Sequence, residues 1–346
     1  MTTATSHPFL ARVDAVLDGL HKTGQYKRLQ MIEGPMGPVV NLRGYGERLC
    51  FCSNNYLGLA DHPEVVEAGI RGLKEFGAGT ASVRFICGTF SPHEKLEQRI
   101  ASFMGHEAAY TFVSCWNANE AIFPTLCEPG DIIISDELNH ASIIDGVRLS
   151  TVIKKGLHKA VYKHNDLADL RRALQEARSN KAVTGVIWVC TDGVFSMEGD
   201  IADLPAMRKL CDEFDALLIV DDSHGTGVMG PTGRGTHEHQ GLTGDDIDFF
   251  TGTLGKALGG GAGGYISGPA RAIDLIVQRG RPTLFSNALP VTVACSADKA
   301  IEILQREPQR VQRLRDNTAY ARDGIRKAGF TVVESPTAIC PIIVHD

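Results

Sequence analysis

Several short polar segments each follow an apolar stretch of the chain, and together they contain the residue types of a catalytic site. Ser114-Cys115-Trp116-Asn117 could place backbone N–H groups at the start of a helix, where a phosphate binds well. Lys256 supplies an amine just before the glycine tract Gly259-Gly260-Gly261. Aromatic, hydroxyl and carboxylate groups come from the remaining segments, which are Asn139-His140, Asp192 with Ser196, Asp221-Asp222-Ser223-His224, and Thr253.

Each group taken alone also has an ordinary structural interpretation. Ser114 and Asp221 could cap helices, and the glycine tract could serve only a turn. His140 could be a hydrogen-bonded histidine of the core, and a lysine such as Lys256 is usually exposed. However, ligands of open parallel sheets bind beyond the carboxyl ends of the strands, which is where all these groups fall. A phosphate cradle, a stacking ring, a buried acid and a lysine at one such edge indicate a site for pyridoxal phosphate (PLP).

The elements that would position these groups alternate between strand and helix from about residue 48. Such alternation predicts an α/β fold with a mostly parallel sheet covered by helices on both faces. Apolar residues at helical spacing between Phe9 and Leu20 predict an earlier helix, and Gly34–Gly46 is interpreted as a connector. Ser91-Pro92-His93-Glu94 resembles a capping box with proline at the first helical position. The strand candidates are 108–112, 131–135, 183–190, 216–220 and 248–252, with helical segments at 166–178 and 204–214 between them.

Beyond Pro290 the pattern turns helical and then gives two strand-like stretches, Phe330–Glu334 and Pro341–Val344. We therefore predict three parts: an N-terminal helix and connector arm at 1–48, a large domain at 49–290, and the start of a small domain at 291–346. Because so short a remainder would be an unusually small domain, we expect the C-terminal part to be incomplete.

The composition is that of a globular protein with ample apolar material for a core. The chain has 346 residues, of which 43% are hydrophobic and 22% charged, and its formal net charge is −6. This balance favours neither a nucleic acid nor an anionic membrane as partner, and no apolar run approaches the roughly 20 residues that span a bilayer. Met1–Leu10 lacks the pattern of a secretory signal, and the nine cysteines form neither a zinc spacing nor a disulfide framework. We therefore expect a cytoplasmic protein with no metal site.

The most specific motifs of the chain are Asn54-Asn55-Tyr56-Leu57-Gly58-Leu59, Asn139-His140-Ala141-Ser142, Asp221-Asp222-Ser223-His224 and Thr253-Leu254-Gly255-Lys256. Together they resemble the α-oxoamine synthases, which are fold-type I PLP enzymes that join an amino acid to an acyl-CoA. The resemblance covers about residues 50–345. It implies a mostly parallel seven-stranded sheet flanked by helices, with a smaller C-terminal α/β domain that we expect to be truncated in this chain.

The resemblance implies a role for each residue around the PLP ring. Lys256 is similar to the lysine that forms a Schiff base with the cofactor and then removes the α-proton of glycine. Burial beside a cationic cofactor lowers the pKa of a lysine, which suits both tasks. Asp221 resembles the acid that keeps the pyridine nitrogen protonated, and His140 resembles the histidine stacked on the ring. His224 and Ser196 resemble residues near the phenolic oxygen, and His224 is expected to help polarise the thioester carbonyl.

The same resemblance assigns the phosphate contacts and the assembly. Backbone and hydroxyl groups of Ser114, Cys115 and Trp116, together with Thr253, are expected to hold the phosphate. Trp116 stands where close relatives carry phenylalanine, a change that a largely backbone contact tolerates. Ser286 resembles a residue that the neighbouring subunit contributes to the phosphate, which implies a homodimer with shared active sites.

Substrate recognition is expected to use Asn54, which resembles the asparagine that contacts the substrate carboxylate. Family members also carry an arginine for this carboxylate, and a bidentate arginine is a strong carboxylate anchor. No matching arginine is present up to Asp346, so we expect it in a segment that follows.

Three further stretches favour a member that condenses glycine with acetyl-CoA to 2-amino-3-oxobutyrate and CoA: Ala81–Thr89, Ile143–Leu149 and Arg281–Asn287. The reaction is reversible and would also cleave this threonine-derived β-keto acid. Two alternatives stay open at this point. The substrates could be those of 8-amino-7-oxononanoate, 5-aminolevulinate or sphingoid-base synthesis, or the chain could be a non-catalytic partner subunit. Such a subunit would be expected to lack the Schiff-base lysine, whereas Lys256 is present.

Overall fold

The computed structural model describes residues 7–343 and divides the chain into two compact units, Met1–Phe51 and Cys52–Asp346. The residues beyond Pro290, predicted to begin a small domain, are part of the second unit. The last residue of the predicted strand Pro341–Val344 lies outside the described residues, as do the first six of Met1–Leu10.

The first unit contains a helix and a two-stranded antiparallel hairpin. Helix α1 spans Pro8–Lys22, and the His7 side chain caps its amino end. Strand β1 (Val39–Leu42) pairs with β2 (Gly46–Leu49). The predicted connector Gly34–Gly46 therefore contains a strand, because its two adjacent valines favour extended backbone.

The second unit is built on a seven-stranded sheet. Its strands are β3 (Ala108–Phe112), β4 (Ile132–Asp136), β5 (His158–Tyr162), β6 (Ile187–Asp192), β7 (Ala216–Asp221), β8 (Phe249–Thr253) and β9 (Gly264–Gly268). Their order across the sheet is β3-β9-β8-β7-β6-β4-β5. Strand β9 is antiparallel to both β3 and β8, and the other neighbours are parallel. The predicted mostly parallel, seven-stranded α/β fold is confirmed.

One predicted strand begins later than the apolar pattern suggested. Strand β6 starts at Ile187 rather than at Val183. The residues before it form a loop in which the Gly130 carbonyl accepts hydrogen bonds from the N–H groups of Thr184 and Gly185, both at 3.0 Å. Because these N–H groups are used by the loop, regular strand pairing starts only after them.

Helices cover both faces of the sheet. The longer ones are α2 (Pro63–Phe76), α4 (Ser91–Met104), α5 (Cys115–Leu126), α6 (Ala141–Ile153), α7 (Leu167–Ser179), α8 (Leu204–Glu213), α10 (Ala270–Arg279), α12 (Val291–Arg306) and α13 (Gln309–Lys327). Three short helices are α3 (Arg84–Cys87), α9 (Thr236–His239) and α11 (Arg281–Phe285), and a small antiparallel pair is formed by β10 (Thr331–Val332) and β11 (Ile342–Ile343). Within residues 7–343, none of the helices is long and apolar enough to cross a membrane.

Two buried clusters form the core, one on each face of the sheet. On β6, Trp188 belongs to one cluster and Val189 to the other, because successive side chains of a strand face opposite ways. The cluster with Trp188 includes residues of α5, α6 and α10. The cluster with Val189 includes residues of α4, α7, α8 and α12. The strands are therefore buried on both sides, and only their ends can present polar groups to a ligand.

Helix α4 starts differently from the predicted capping box. Phe90, not Ser91, is the N-cap residue, and its side chain makes no capping hydrogen bond. The Phe90 ring instead packs edge-on against Phe76 and His93, with ring centroids 6.0 and 5.9 Å apart. Packing of this ring fixes the helix start, and Pro92 occupies the first turn, where its missing N–H costs no helical hydrogen bond.

The close packing of α5 against α6 depends on Gly146. A Cβ at this position would lie 2.6 Å from the Asn119 carbonyl oxygen and 3.2 Å from the Phe123 ring. We expect Gly146→Ala to lower the free energy of unfolding by about 1–3 kcal/mol, measured by chemical denaturation, because the helices would have to separate.

The matched control is Gly324→Ala in α13, where nothing lies within 4 Å of the added Cβ. We expect this control to raise the free energy of unfolding by about 0.5–1 kcal/mol, since alanine is the better helix former. Equal effects of the two substitutions would contradict the packing role of Gly146.

Candidate active site

A cavity of about 190 Å³ lies at the carboxyl ends of adjacent strands of the sheet. Asp192, Asp221 and Thr253 line it, and they are the last residues of β6, β7 and β8, which lie side by side. Lys256 reaches the cavity from the bend after β8. The structure thus brings together eight of the predicted site residues: Cys115, Trp116, His140, Ser196, Asp221, His224, Thr253 and Lys256.

Lys256 and Tyr56 contact opposite nitrogens of His224. The Lys256 Nζ is 2.8 Å from His224 Nε2, and the Tyr56 hydroxyl is 2.9 Å from His224 Nδ1. Burial lowers the pKa of Lys256 below its ordinary value. Burial and the charge of Lys256 lower the pKa of His224 to about 3, so its imidazole is neutral. Because a neutral imidazole has one N–H, His224 donates to one neighbour and accepts from the other.

Tyr56 was missed as a site residue, although it stands in one of the motifs that carry the family resemblance. Burial raises the pKa of Tyr56 to about 12, which keeps its hydroxyl protonated. The same hydroxyl lies 3.5 Å from Asn54 Oδ1. Asn54 does not line the cavity, and its contact with Tyr56 is what connects it to His224.

The Asp221 carboxylate is buried and held by N–H donors. Asn119 donates from Nδ2 at 2.7 Å, and the Ser223 backbone N–H donates at 3.0 Å. Burial alone would raise the pKa of Asp221, but hydrogen bonding by Ser223 and Asn119 and the charge of Lys256 outweigh it and leave the pKa below its ordinary value. Sequence reasoning missed Asn119, although it stands one helical turn after Cys115 and so shares a face of α5 with it.

His140 exposes its side chain at the cavity, unlike the core histidine of the alternative interpretation. Its backbone N–H donates to Asp192 Oδ2 at 2.9 Å, and its Nδ1 lies 2.7 Å from the Ser142 hydroxyl. The Trp116 indole meets the His140 ring edge-on, with 6.1 Å between centroids. Burial and the charge of Asp221 raise the pKa of Asp192 well above its ordinary value, whereas the pKa of Asp221 is lowered.

Ser114 and Ser286 do not line this cavity. Ser114 is the N-cap of α5, and its Oγ accepts a hydrogen bond from the Asn117 N–H at 3.1 Å, which is the capping alternative. Ser286 lines a separate cavity with Arg281 and Pro282. The contribution of Ser286 to a neighbouring subunit stays a prediction.

Asp222, the residue after Asp221, is fully buried but does not line the cavity. Its carboxyl group accepts hydrogen bonds from the Thr236 N–H at 3.0 Å, the Thr236 hydroxyl at 2.6 Å and the Thr226 hydroxyl at 3.2 Å. Burial raises the pKa of Asp222 to about 7. Three glycines leave the space that this group occupies, since a Cβ on any of them would collide with it: Gly193, Gly225 and Gly235.

The residues of the cavity fit PLP. Asp221 carries a negative charge whose hydrogen-bond partners are N–H and S–H donors, so a cationic ring nitrogen would complete its surroundings. Cys115 and Trp116 line the cavity at the amino end of α5, where phosphate oxygens bind well. The lowered pKa of Lys256 increases the fraction of its amine that is neutral, and the neutral amine is the form that reacts with an aldehyde.

Comparison with known proteins agrees with this chemistry. The family described as aminotransferase class I and II matches residues 47–346. The chain is 45% identical to the mitochondrial 2-amino-3-ketobutyrate coenzyme A ligase of Homo sapiens, over 96% of this chain and 78% of that protein. It is 43% identical to the 8-amino-7-oxononanoate synthase 1 of Bacillus velezensis, over 96% of this chain and 82% of that protein. A solved serine palmitoyltransferase variant from S. paucimobilis with bound PLP–myriocin aldimine has a TM-score of 0.88 and 30% identity, covering 99% of this chain and 86% of that one.

The lowered pKa of His224 makes stability depend on pH. The unfolded chain protonates this histidine below about pH 6.5, whereas the folded protein resists protonation until the pH approaches about 3. A folded-state pKa below the unfolded value contributes stability that is present at higher pH and lost as the pH falls. We expect His224→Gln to remove this loss. Below about pH 6.5, the free energy of unfolding of the variant should fall less steeply with decreasing pH than that of the wild type, and the two slopes should differ by at most about 1.4 kcal/mol per pH unit.

The measurement is urea unfolding of the cofactor-free protein at several pH values between about 4 and 7. His158→Gln, on β5 and outside the cavity, serves as the control and should keep the wild-type slope. A wild-type slope in His224→Gln as well would show that His224 is not buried as a neutral imidazole.

Proposed function

The chain belongs to the class I and II aminotransferase family, and on that basis we propose that it is a PLP-dependent acyltransferase of the α-oxoamine synthase type. It condenses glycine with acetyl-CoA to 2-amino-3-oxobutyrate and CoA, and in reverse it cleaves this threonine-derived β-keto acid. The observation that carries the proposal is the meeting of Lys256, His224 and Asp221 in one cavity. It occurs in a chain that is 45% and 41% identical to the 2-amino-3-ketobutyrate coenzyme A ligases of Homo sapiens and Escherichia coli.

When bound, PLP supplies a cationic pyridine ring that accepts the electron pair left at an amino-acid α-carbon after its proton is removed. Asp221 would keep the ring nitrogen protonated, because its own carboxylate stays ionised in the cavity. Asn119 fixes the orientation of that carboxylate through its 2.7 Å hydrogen bond. The amino end of α5, at Cys115 and Trp116, would hold the phosphate together with Thr253.

Lys256 would hold the cofactor and then take the α-proton of glycine. Its lowered pKa increases the neutral fraction of the amine, which is the form that accepts a proton. His224 lies 2.8 Å from this amine and orients it without adding a second positive charge, because its imidazole is neutral. Tyr56, on the other nitrogen, holds the imidazole in place.

The remaining cavity residues would orient the cofactor ring and the substrates. His140 presents its ring to the cavity while its backbone is held by Asp192, an arrangement that suits stacking on a flat cofactor. Ser196 lines the same cavity and is proposed to contact the phenolic oxygen. Asn54, next to Tyr56, is proposed to contact the glycine carboxylate.

We also propose a homodimer in which Ser286 completes the phosphate site of the neighbouring subunit. The surface around α11 supports an interface. Phe285 is 77% exposed, and Phe85 and Ile86 on α3, which contacts α11, are 65% and 66% exposed. Exposed apolar side chains grouped in this way are typical of interaction surfaces.

The compartment is proposed from the cysteines. Cys52 and Cys87 are free thiols in the structure although both are exposed. Free thiols of this kind fit a reducing compartment such as the cytoplasm, which stays a prediction.

A substrate panel tests the proposed reaction. With PLP-loaded protein, we expect kcat/KM for glycine and acetyl-CoA to exceed that for pimeloyl-, succinyl- or palmitoyl-CoA, and that for alanine or serine, by about tenfold or more. The control is the same assay with PLP-free protein. A preference for alanine with pimeloyl-CoA would instead assign the reaction of the 8-amino-7-oxononanoate synthases, to which the chain is 43% identical.

Lys256→Ala tests the role of the amine. We expect this variant to fold, and to lose product formation by about four orders of magnitude or more, because it has neither the cofactor-binding amine nor the base. Borohydride reduction of the wild-type protein should make the bond between the cofactor and the lysine permanent. Mass spectrometry should then find the added mass of the cofactor on the peptide that contains Lys256. Lys159→Ala, an exposed lysine of β5, is the control and should keep full activity and the labelled peptide. A labelled peptide elsewhere in the chain would overturn the assignment.

A further inference from the structure

Ser196 is carried by the segment Gly193–Ile201 between β6 and α8, here called the Ser196 segment. An antiparallel bridge joins its two ends. Inside it, the Phe195 N–H donates to the Asp200 carbonyl at 3.0 Å. The position of Ser196 in the cavity therefore depends on what holds this small loop to the rest of the molecule.

His164 connects the Ser196 segment to the end of β4. Its Nε2 lies 2.8 Å from Asp200 Oδ2, and its Nδ1 lies 2.9 Å from Asp136 Oδ1. Its ring also meets the Phe195 ring edge-on, with 4.4 Å between centroids. His164 thus touches the segment both before and after Ser196 in the sequence.

The two partners of the ring determine its charge. A carboxylate only accepts hydrogen bonds, so His164 can donate to both Asp136 and Asp200 only when both of its ring nitrogens carry a proton. Burial alone would lower the pKa of His164, but the hydrogen bonds with the two carboxylates outweigh it and raise the pKa. Asn165 adds neutral donors, from its N–H to Asp136 at 3.0 Å and from Nδ2 to Asp200 at 2.6 Å, and Tyr162 faces Asp136 from β5.

We propose that His164, in its protonated form, is a positioning residue that holds the Ser196 segment in place and thereby fixes Ser196 at the cavity. The inference rests on the proposed function only in taking Ser196 as a cofactor contact. A second attachment exists on the Gly199 carbonyl, which accepts hydrogen bonds from the hydroxyls of Ser335 and Thr337. The hydroxyl groups of Ser335 and Thr337 do not titrate in the pH range in which His164 loses its proton. A change of pH in that range therefore weakens the attachment by His164 and not the one by these hydroxyl groups.

The direction of the pH effect follows from the raised pKa. The stability that His164 contributes is complete below its unfolded pKa of about 6.5 and is lost as the pH rises through the higher folded value. Loss of the proton leaves either Asp136 or Asp200 without its imidazole donor. The Ser196 segment is therefore expected to loosen on the alkaline side.

Hydrogen–deuterium exchange of the cofactor-free protein, corrected for the intrinsic pH dependence of exchange, tests the proposal. We expect the amides of residues 193–201 to exchange about tenfold faster once the pH passes the His164 titration. His164→Gln keeps a donor but not the charge, so the segment should exchange fast at every pH, without a step. His158→Gln is the control, a histidine at the amino end of β5 and away from Asp136, and should keep the wild-type step.

Asp200→Asn provides a second and milder variant. It keeps the shape of the carboxyl group and removes one charge, so the step in exchange should move to lower pH by about one unit. This shift tests the role of His164 even if the His164→Gln variant fails to fold. A wild-type step in Asp200→Asn would overturn the proposal.

PLP binding, followed by the fluorescence of the cofactor-free protein, separates this inference from the proposed function. We expect His164→Gln to bind PLP about tenfold more weakly than wild type near neutral pH. Equal affinities would overturn the positioning role. Failure of the wild-type protein to bind PLP, with the exchange step and its shift observed, would overturn the proposed function and leave the attachment of the segment by His164 supported.

Discussion

Asp221 keeps its negative charge although its carboxylate is buried, and such a charge costs free energy unless donors and a cation surround it. The donors come from separate parts of the chain: Asn119 from α5, and the Ser223 backbone from the turn after β7. The positive charge comes from Lys256, beyond the next strand. Ser223 is only two residues from Asp221, but Asn119 and Lys256 are far from it in the unfolded chain. The fold must therefore be complete before the charge is tolerated, and the site is a property of the whole sheet edge.

Parallel pairing extends this constraint to the neighbouring strand. Asp192 and Asp221 are register partners at the ends of β6 and β7, so their charges would repel each other in a place that excludes water. The pKa of Asp192 rises while that of Asp221 falls, so Asp221 is the stronger acid of the pair. Asp192 accepts a hydrogen bond from the His140 N–H and so helps to orient the residue that presents its ring to the cavity. The adjacent strands β6 and β7 thus supply both a charged group, Asp221, and a group that orients His140, Asp192.

Much of this site could be predicted from the sequence, because the carboxyl ends of parallel strands meet at one edge of a sheet. That rule alone groups Asp221, Thr253 and Lys256. Asn119 could not be assigned in this way, because its contact depends on how α5 is rotated against the sheet. The start of α4 was predicted one residue late, since the packing of Phe90 outweighs the hydroxyl of Ser91. The hairpin of β1 and β2 was hidden in a segment whose glycines and prolines suggested a loop.

The buried carboxyl group of Asp222 occupies volume into which three separate backbone turns would otherwise project side chains. Substitutions at 193, 225 and 235 are for this reason not independent of one another or of position 222. A combinatorial library that retains aspartate at 222 would recover glycine at all three sites. A shorter side chain at 222 would not suffice to admit larger residues, because Gly235 has a φ of +129° and a Cβ at 225 would also collide with the Thr236 hydroxyl. Asp222 and Thr236 thus restrict the side chains allowed in loops around the cavity, although neither residue lines it.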